Sequence, residues 1–355
     1  KPLQQFMSKA EENYEIAIKN LVYRPGESPL ELITPQTAKK VGAFIGNVSK
    51  DVRRKFTNPK LISILEFPVL FLGATPQKTP SFYNFMNYAD FGLGTWHPKG
   101  GMYEVIIAMK KLAEELGVVI KTNSPIDEIL VDDNGRVEGI MTGGQKHLYP
   151  IVLSGADYHH SETLLPQNYR QYSESYWEKK TFAPSSLIFY VGFDKKLKNI
   201  DHHNLFFDTD FTKHANEIYE DPKWPEEPLF YANFTSLTDA SLAPDLEDTP
   251  ELREKYFNKI IKRFELRTEQ NVSDHIIFKE SFCVNDFISE YNSYKGNAYG
   301  MANTLLQTAF LRPNLRSRKV RNLYFTGQLT VPGPGVPPSL ISGKLAAELI
   351  NKHDQ

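Results

Sequence analysis

The chain carries a single cysteine, Cys283, among 355 residues. A disulfide framework within the chain is excluded, and the composition suits a reducing, cytoplasmic compartment. Cys283 itself reads as a small apolar residue in a strand rather than as a reactive thiol. No stretch reaches eighteen consecutive apolar residues, so no transmembrane helix is expected. The longest apolar piece, Phe67-Pro68-Val69-Leu70-Phe71-Leu72-Gly73, is too short to span a bilayer. Neither sign of charge dominates: a formal net charge of −2 excludes a strongly basic nucleic-acid binder. Internal repeats, low-complexity tracts, a catalytic triad, a strong acid pair and a cluster with metal-ligand spacing are all missing from the sequence. His159-His160 and His202-His203 are adjacent pairs; neighbours on a strand point to opposite faces, so each would be a poor bidentate metal site.

A further absence concerns glycine. No Gly-x-Gly-x-x-Gly turn closes a first strand near the start of the chain. Gly92-Leu93-Gly94 and Gly333-Pro334-Gly335 do not substitute for it, because neither joins a strand directly to a helix with the third glycine in place. The chain opens on a helical pattern from Lys1 to Lys19, without a start methionine or signal peptide, and is expected to be cut from something longer.

What is present allows a large core and two domains. Hydrophobic residues make up 41% and charged residues 24%, ordinary for a soluble globular protein. Aromatic residues reach 12%, with 23 Phe and 18 Tyr, which serves a core and also suits a pocket for a long, flat, apolar ligand.

Periodicity places helices over Gln4 to Lys19 and Thr34 to Phe56, a turn at Tyr23-Arg24-Pro25-Gly26, and a third helical segment from Asn58-Pro59 that Pro68 ends or kinks. Met102, Val105, Ile106, Met109, Leu112, Ala113 and Leu116 predict another helix, with Gly117 as its C′ residue. Val118 to Lys121 reads as a buried strand. Ile126 to Val131 and Arg136 to Met141 read as a hairpin around Asp132-Asp133-Asn134-Gly135. Ile151 to Asp157 is a strand ending in a small-residue turn. Strands are expected at Leu187 to Phe193, Leu205 to Phe207, Leu229 to Thr235 and His275 to Val284, with a helix from Pro250 to Leu266 among them, an α+β order. Pro222 to Pro228 reads as a surface loop.

The most specific stretch lies near the end. Asn322 to Thr330 is a short strand and its exit, Val331-Pro332-Gly333-Pro334-Gly335-Val336-Pro337-Pro338 is a stiff loop, and Ser339 to Glu348 begins a helix with Ser339 as the expected N-cap. The glycines let backbone approach an anion or a flat cofactor, and the prolines remove donors and set the loop's shape. By itself such a junction is equally a structural turn.

Together with Trp96-His97-Pro98-Lys99-Gly100-Gly101-Met102, Leu112 to Val118, Asn134-Gly135-Arg136-Val137, Ser154-Gly155-Ala156-Asp157, Gly296-Asn297-Ala298-Tyr299-Gly300 and Leu305 to Pro313, that stretch resembles the carotenoid (phytoene) desaturase family of FAD-dependent flavoproteins, in its bacterial form. The resemblance implies an α/β plus α+β fold: a doubly wound FAD domain of the glutathione-reductase type (residues 96–165 and 301–355) interleaved with a mixed sheet and helix domain that covers the substrate (1–95 and 166–300). It implies FAD contacts at Ile126, at Gly155, Ala156 and Asp157, at Gly327 and Gln328, and at Gly335, Val336 and Pro337. The implied reaction passes a hydride from an acyclic or hydroxylated carotene to the flavin, with phytoene as the family's default substrate, 3,4-desaturation of a hydroxylated carotene as the close rival, and quinone or oxygen as the final acceptor. Positioning and exclusion of water then dominate over acid–base help. Asp90 and His97 are the candidate proton acceptors, against a plain reading as loop residues making local hydrogen bonds. An FAD-containing isomerase, a non-catalytic isoprenoid-binding protein and an amine oxidase are the alternatives. Arg312 either meets a phosphate, anchors the cofactor domain or forms a structural salt bridge. Arg53-Arg54-Lys55 and Arg316, Arg318, Lys319 and Arg321 are solvated faces, or in a peripheral membrane protein rest against anionic lipid. Phe67 to Leu72 either packs in the core or faces the membrane.

Overall fold

The computed structural model describes residues 1–221, 223–234 and 251–353; Pro222, Thr235 and Pro250, which bound an expected loop, strand and helix, lie outside them. The chain divides into two compact units, one made of Lys1–Gly94, Asn123–Ser185 and Asn285–Gln355, the other of Thr95–Thr122 and Ser186–Val284. Among the described residues the strands are β1 (Glu128–Val131), β2 (Val137–Thr142), β3 (Gln145–Leu148), β4 (Val152–Ser154), β5 (Ile188–Phe193), β6 (His203–Phe206), β7 (Phe230–Asn233), β8 (Ile276–Phe282) and β9 (Leu323–Phe325).

The first 94 residues are helical, and prolines mark where helices begin. Pro2, Pro35 and Pro59 each stand in a first turn, where a missing N–H removes no bond. Asn58 caps its helix, Pro59–Glu66, by accepting from the amides of Lys60 and Leu61. The spacing from Thr34 to Phe56 yields three short helices, Pro35–Ala38, Val41–Ile45 and Val48–Arg53, instead of one. The reason is tertiary: Gly46 is extended and its carbonyl accepts from Ser81 N, while Val48 N donates to Thr79 O. Pro68 behaves as the sequence predicts, the α-helix ending at Glu66 and a 3₁₀ segment following over Phe67–Leu72. Val69 and Leu72 of that segment join a core with Phe6, Val48, Val52, Phe56 and Leu65. Core packing is thus the role of most of this apolar run, although Phe71 is exposed.

The sequence division groups residues 1–95 with 166–300, whereas the compact unit joins 1–94 to 123–185 and 285–355. The contacts responsible are specific. Gly73 adopts φ +78°, and a Cβ there would lie 2.6 Å from Ala183 Cβ and 3.2 Å from Ala302 Cα. Asn303 N donates to Leu72 O, and Ala183 N to Gly300 O.

In the same unit β1, β2 and β3 form an antiparallel sheet in that order. Asp132 builds the first turn: its Oδ1 accepts from Asn134 N and Arg136 N, each at 2.9 Å. The strand β3 is an addition to the expected hairpin. It follows Gly143 and Gly144, at φ +54° and +73°, the positive pair that a tight two-residue hairpin turn requires. β4 and β9 run parallel and pack through Phe325 and Leu323 on Ile129, Tyr158, Trp177 and Met301.

The other unit holds two antiparallel pairs, β5 with β8 and β6 with β7. They flank the helix Glu251–Thr268, whose Phe257, Ile261 and Phe264 form a core with Val272. Cys283, just beyond β8, is buried as expected. Two elements depart from expectation. The predicted helix forms over Tyr103–Glu115, but its apolar face is not covered: Ile106 is 51% exposed and Leu112 57%. Val118 to Lys121, expected as a buried strand, is not a strand, and Val119 is 80% exposed. Apolar β-branched residues favour extended backbone only when a neighbouring strand completes their hydrogen bonds, and among the described residues none does so here.

Candidate cofactor site

The parallel pair sets the site. β4 and β9 run in register, Val152 opposite Leu323 and Ser154 opposite Phe325, so both strands end at one level. Thr326 N continues the ladder to Ser154 O at 2.9 Å. The turns that follow, Gly155-Ala156-Asp157 and Gly327-Gln328, therefore emerge side by side. A Cβ built on Gly327, which holds φ +106°, would sit 3.7 Å from Gly155 O. In α/β proteins the carboxyl ends of parallel strands are where ligands bind. Gly155 and Ala156 are exposed there.

Ser342 locks the second turn to the last helix, Val336–His353. It is fully buried, accepts from Gly327 N at 2.9 Å, pairs with Thr326 Oγ1 at 2.6 Å and donates to Ser339 O at 2.7 Å. Ser339 is not the N-cap. The helix starts earlier, at Val336, and Ser339 N already makes an intrahelical bond to Gly335 O. Pro337 and Pro338 fall in the first turn, where their missing N–H groups remove no helical bond. Gly335 is exposed at φ +114°, Pro337 is exposed, and Val336 and Leu340 show apolar surface at 55% and 46% exposure.

Gln328 is half-buried, with Nε2 3.4 Å from Asn297 Oδ1. Asn297 also accepts from Gly300 N at 2.6 Å, so the Gly296-to-Gly300 motif braces the turn. Asp157 caps the helix Tyr158–Thr163 through His160 N and accepts from Tyr294 N at 3.3 Å. Burial raises its carboxyl above the ordinary aspartate value, and the two amides partly oppose that rise.

The sequence candidates are not all gathered here. Gly155, Ala156 and Asp157 stand beside Gly327 and Gln328, and Gly335 immediately precedes, with Val336 and Pro337 beginning, the helix that Ser342 ties to Gly327. Ile126 is half-buried just ahead of β1, on the three-stranded sheet rather than the parallel pair. Asp90 lies half-buried in a π-helical turn, Tyr88–Gly92. His97 belongs to the other unit, its ring 4.8 Å from that of His202 and its buried Nε2 without a hydrogen-bond partner. Sequence reasoning passed over Thr326, Ser342 and Asn297. Their signal was a hydroxyl or amide inside a run of small residues next to a glycine.

Arg312 is 2% exposed and forms no salt bridge among the described residues. Its guanidinium donates instead to Met301 O at 2.8 Å, Gln328 O at 3.3 Å and Asn303 Oδ1. At the other end of β9 a cavity of about 350 Å³ is lined by Arg316, Arg318 and Arg321 with Glu27. Of the two basic runs, Arg53 and Arg54 are neutralised by Glu66 and Asp51.

The model of the family described as flavin containing amine oxidoreductase matches residues 28–351. A carotenoid 3,4-desaturase of Haloarcula japonica is 37% identical over 365 residues, spanning 98% of this chain and 74% of that protein. The chain belongs to the carotenoid desaturase family of flavin enzymes. A zeta-carotene-forming phytoene desaturase of Myxococcus xanthus is 28% identical, with 97% of this chain and 70% of that protein covered. The crystal structure of an oxidoreductase from Methanosarcina mazei shares the fold, with a TM-score of 0.52 at 13% identity over 90% of this chain and 74% of that one.

Members of a flavin-containing family hold FAD, and the strand ends fit such a group. Gly155 and Gly327 leave no side chain between the turns, and the exposed apolar surface of Val336 and Leu340 suits a flat ring.

Proposed function

We propose that the chain is an FAD-dependent carotenoid desaturase that introduces a double bond into an acyclic or hydroxylated carotene, with 3,4-desaturation as the reaction. The observation that carries the reading is the side-by-side exit of Gly155 and Gly327 from β4 and β9, in the same compact unit as the Gly333-to-Gly335 turn and the proline-led helix start, in a chain with this family membership. FAD supplies the two-electron acceptor. One carbon of the C–C bond gives up a hydride, its neighbour gives up a proton, and quinone or oxygen takes the electrons onward.

In this reading Ile126 meets the adenine, Gly155, Ala156 and Asp157 lie along the dinucleotide, and Gly327 and Gln328 hold the pyrophosphate and ribityl chain. Gly335, Val336 and Pro337 face the ring. β4 and β9 belong to a doubly wound sheet of the glutathione-reductase type. Residues 96–165 and 301–355 serve FAD, and 1–95 and 166–300 serve the substrate. The cation left on the substrate by hydride loss is delocalised over the polyene, so the protein's work is to orient the chain and keep water out. Asp90 and His97 are the groups proposed to receive the proton. The substrate resides in a bilayer, and contact with the membrane is peripheral.

The test supplies the protein and FAD with phytoene and with a hydroxylated carotene in liposomes and follows the product by mass and visible spectrum. A desaturase product is lighter by two hydrogens per step and absorbs at longer wavelength. A product of unchanged mass would make the enzyme an isomerase, and flavin uptake without any product would leave only isoprenoid binding.

A further inference from the structure

Arg312 presents a physical problem that the fold does not answer. A cation taken out of water costs several kcal/mol unless an anion or a full set of hydrogen bonds offsets the loss. Arg312 is almost wholly buried and has neither. Its partners are neutral dipoles: the carbonyls of Met301, Gln328 and Leu329 and the side-chain oxygen of Asn303. Its Nε is buried without a partner. The ionisable groups that act on it are Tyr83 and Tyr176, and burial raises both phenols above their ordinary value, so both are neutral. Burial outweighs the opposing influence of Tyr83 and Tyr176 and brings Arg312 down to about 10, which leaves it charged at neutral pH.

The position of this charge is specific. A Cβ added to Gly333 would stand 3.4 Å from Arg312 Cζ and 3.3 Å from Asn303 Oδ1, so the guanidinium packs directly on the backbone of the loop. The carbonyls it grips, those of Gln328 and Leu329, immediately follow Gly327. Arg312 therefore holds the segment at Gln328 and Leu329 and again at Gly333, two residues before Gly335, and places an unneutralised positive charge beneath it. A cage of neutral acceptors holds such a charge in place without cancelling its field.

We infer that Arg312 is a fixed electrostatic residue whose missing counter-charge is the negative charge that the flavin ring acquires when it takes up a hydride. A hydride brings two electrons and one proton to a neutral ring and so adds one negative charge, while the second proton of the C–C bond leaves separately. A nearby cation stabilises that state and not the oxidised one, which favours transfer. The inference rests on the placement of the ring against Gly335, Val336 and Pro337 proposed above.

The experiment is a reductive titration of the FAD-loaded chain against reference dyes, with the dissociation constant of oxidised FAD measured alongside. Arg312→Met is expected to shift the oxidised-to-reduced equilibrium ten- to hundredfold toward the oxidised form, about 30–60 mV lower in midpoint potential for a two-electron couple. Arg312→Lys should recover most of that shift. Asn303→Asp keeps the arginine and gives it a carboxylate partner, so it is expected to lower the potential in the same direction without weakening the fold. Potentials unchanged in both Arg312→Met and Asn303→Asp, with only FAD affinity or unfolding affected, would overturn the inference and reduce Arg312 to a brace for the loop. A wild-type chain that shows no flavin bands after incubation with FAD would overturn the cofactor placement as well, and that outcome is visible before any variant is made.

Discussion

Charge and backbone geometry act at single residues, and Glu66 is the clearest case. Its side chain is fully buried, and Arg53 meets it with two hydrogen bonds, 2.8 and 2.9 Å, while remaining 46% exposed. The hydrogen bond to Glu66 is also the main reason that the Arg53 guanidinium is held above its ordinary value. Removing the arginine strands a buried carboxylate. Arg53→Met is expected to lower unfolding free energy by about 3 kcal/mol in urea titrations, and the double variant with Glu66→Met should recover much of that loss. Gly73 depends on shape instead. It combines φ +78° with no room for a Cβ against Ala183 and Ala302. Gly73→Ala is therefore expected to lower stability by about 2–3 kcal/mol, read as a fall in the urea midpoint. Neither dependence is visible in the sequence, where Glu66 is one acid among 43 Asp and Glu and Gly73 one glycine among 21.

Among elements, the local rules worked where partners were local. The Asp132 turn, the proline-led helix starts and the break at Pro68 all rest on bonds within a few residues. They failed where a distant segment intervened, as when Ser81 divided the helical run at Gly46. Val118 to Lys121 failed for the complementary reason, a strand pattern without a paired neighbour. The helix Phe211–Tyr219 carries a pH-dependent contact of this tertiary kind. His214 Nδ1 accepts from Leu229 N at 3.2 Å, just ahead of β7. Burial, with Arg263 adding to it, lowers His214 from 6.5 to about 4. Below 6.5 the unfolded chain takes up a proton that the folded chain refuses. Stability from this site is thus complete above pH 6.5 and lost as the pH falls toward 4, by up to about 3 kcal/mol. His214→Asn keeps an acceptor without the titration. The stability difference between wild type and this variant should vary with pH between 4 and 6.5 and be flat above that range, as measured by urea unfolding at fixed pH.

For the whole molecule, the balance of charge and the lack of any helix able to cross a membrane, among the described residues, bear on how a bilayer-soluble substrate is reached. With peripheral contact, the protein is expected to float with liposomes at low ionic strength and to be released by alkaline carbonate while the vesicles stay intact. Retention after that wash would contradict the proposal. Within the compact unit that contains them, the two basic runs are not equivalent: Arg53 and Arg54 are paired, while Arg316, Arg318 and Arg321 line a cavity. Asp51 stands only three residues before Arg54, whereas Glu66 reaches Arg53 through the packing of two helices.

The order of residues alone determined the family, through spaced glycines and prolines whose backbone demands are local, and it determined the class of most helices and strands, because periodicity and capping act over a few residues. Tertiary structure decided the rest. It brought Gly155 beside Gly327 across four of the nine described strands by pairing β4 with β9, it moved the start of the last helix to Val336, and it left Arg312 buried among carbonyls rather than opposite an acid. Each of these depends on contacts between segments far apart in sequence, where no local rule of spacing can state which partner arrives.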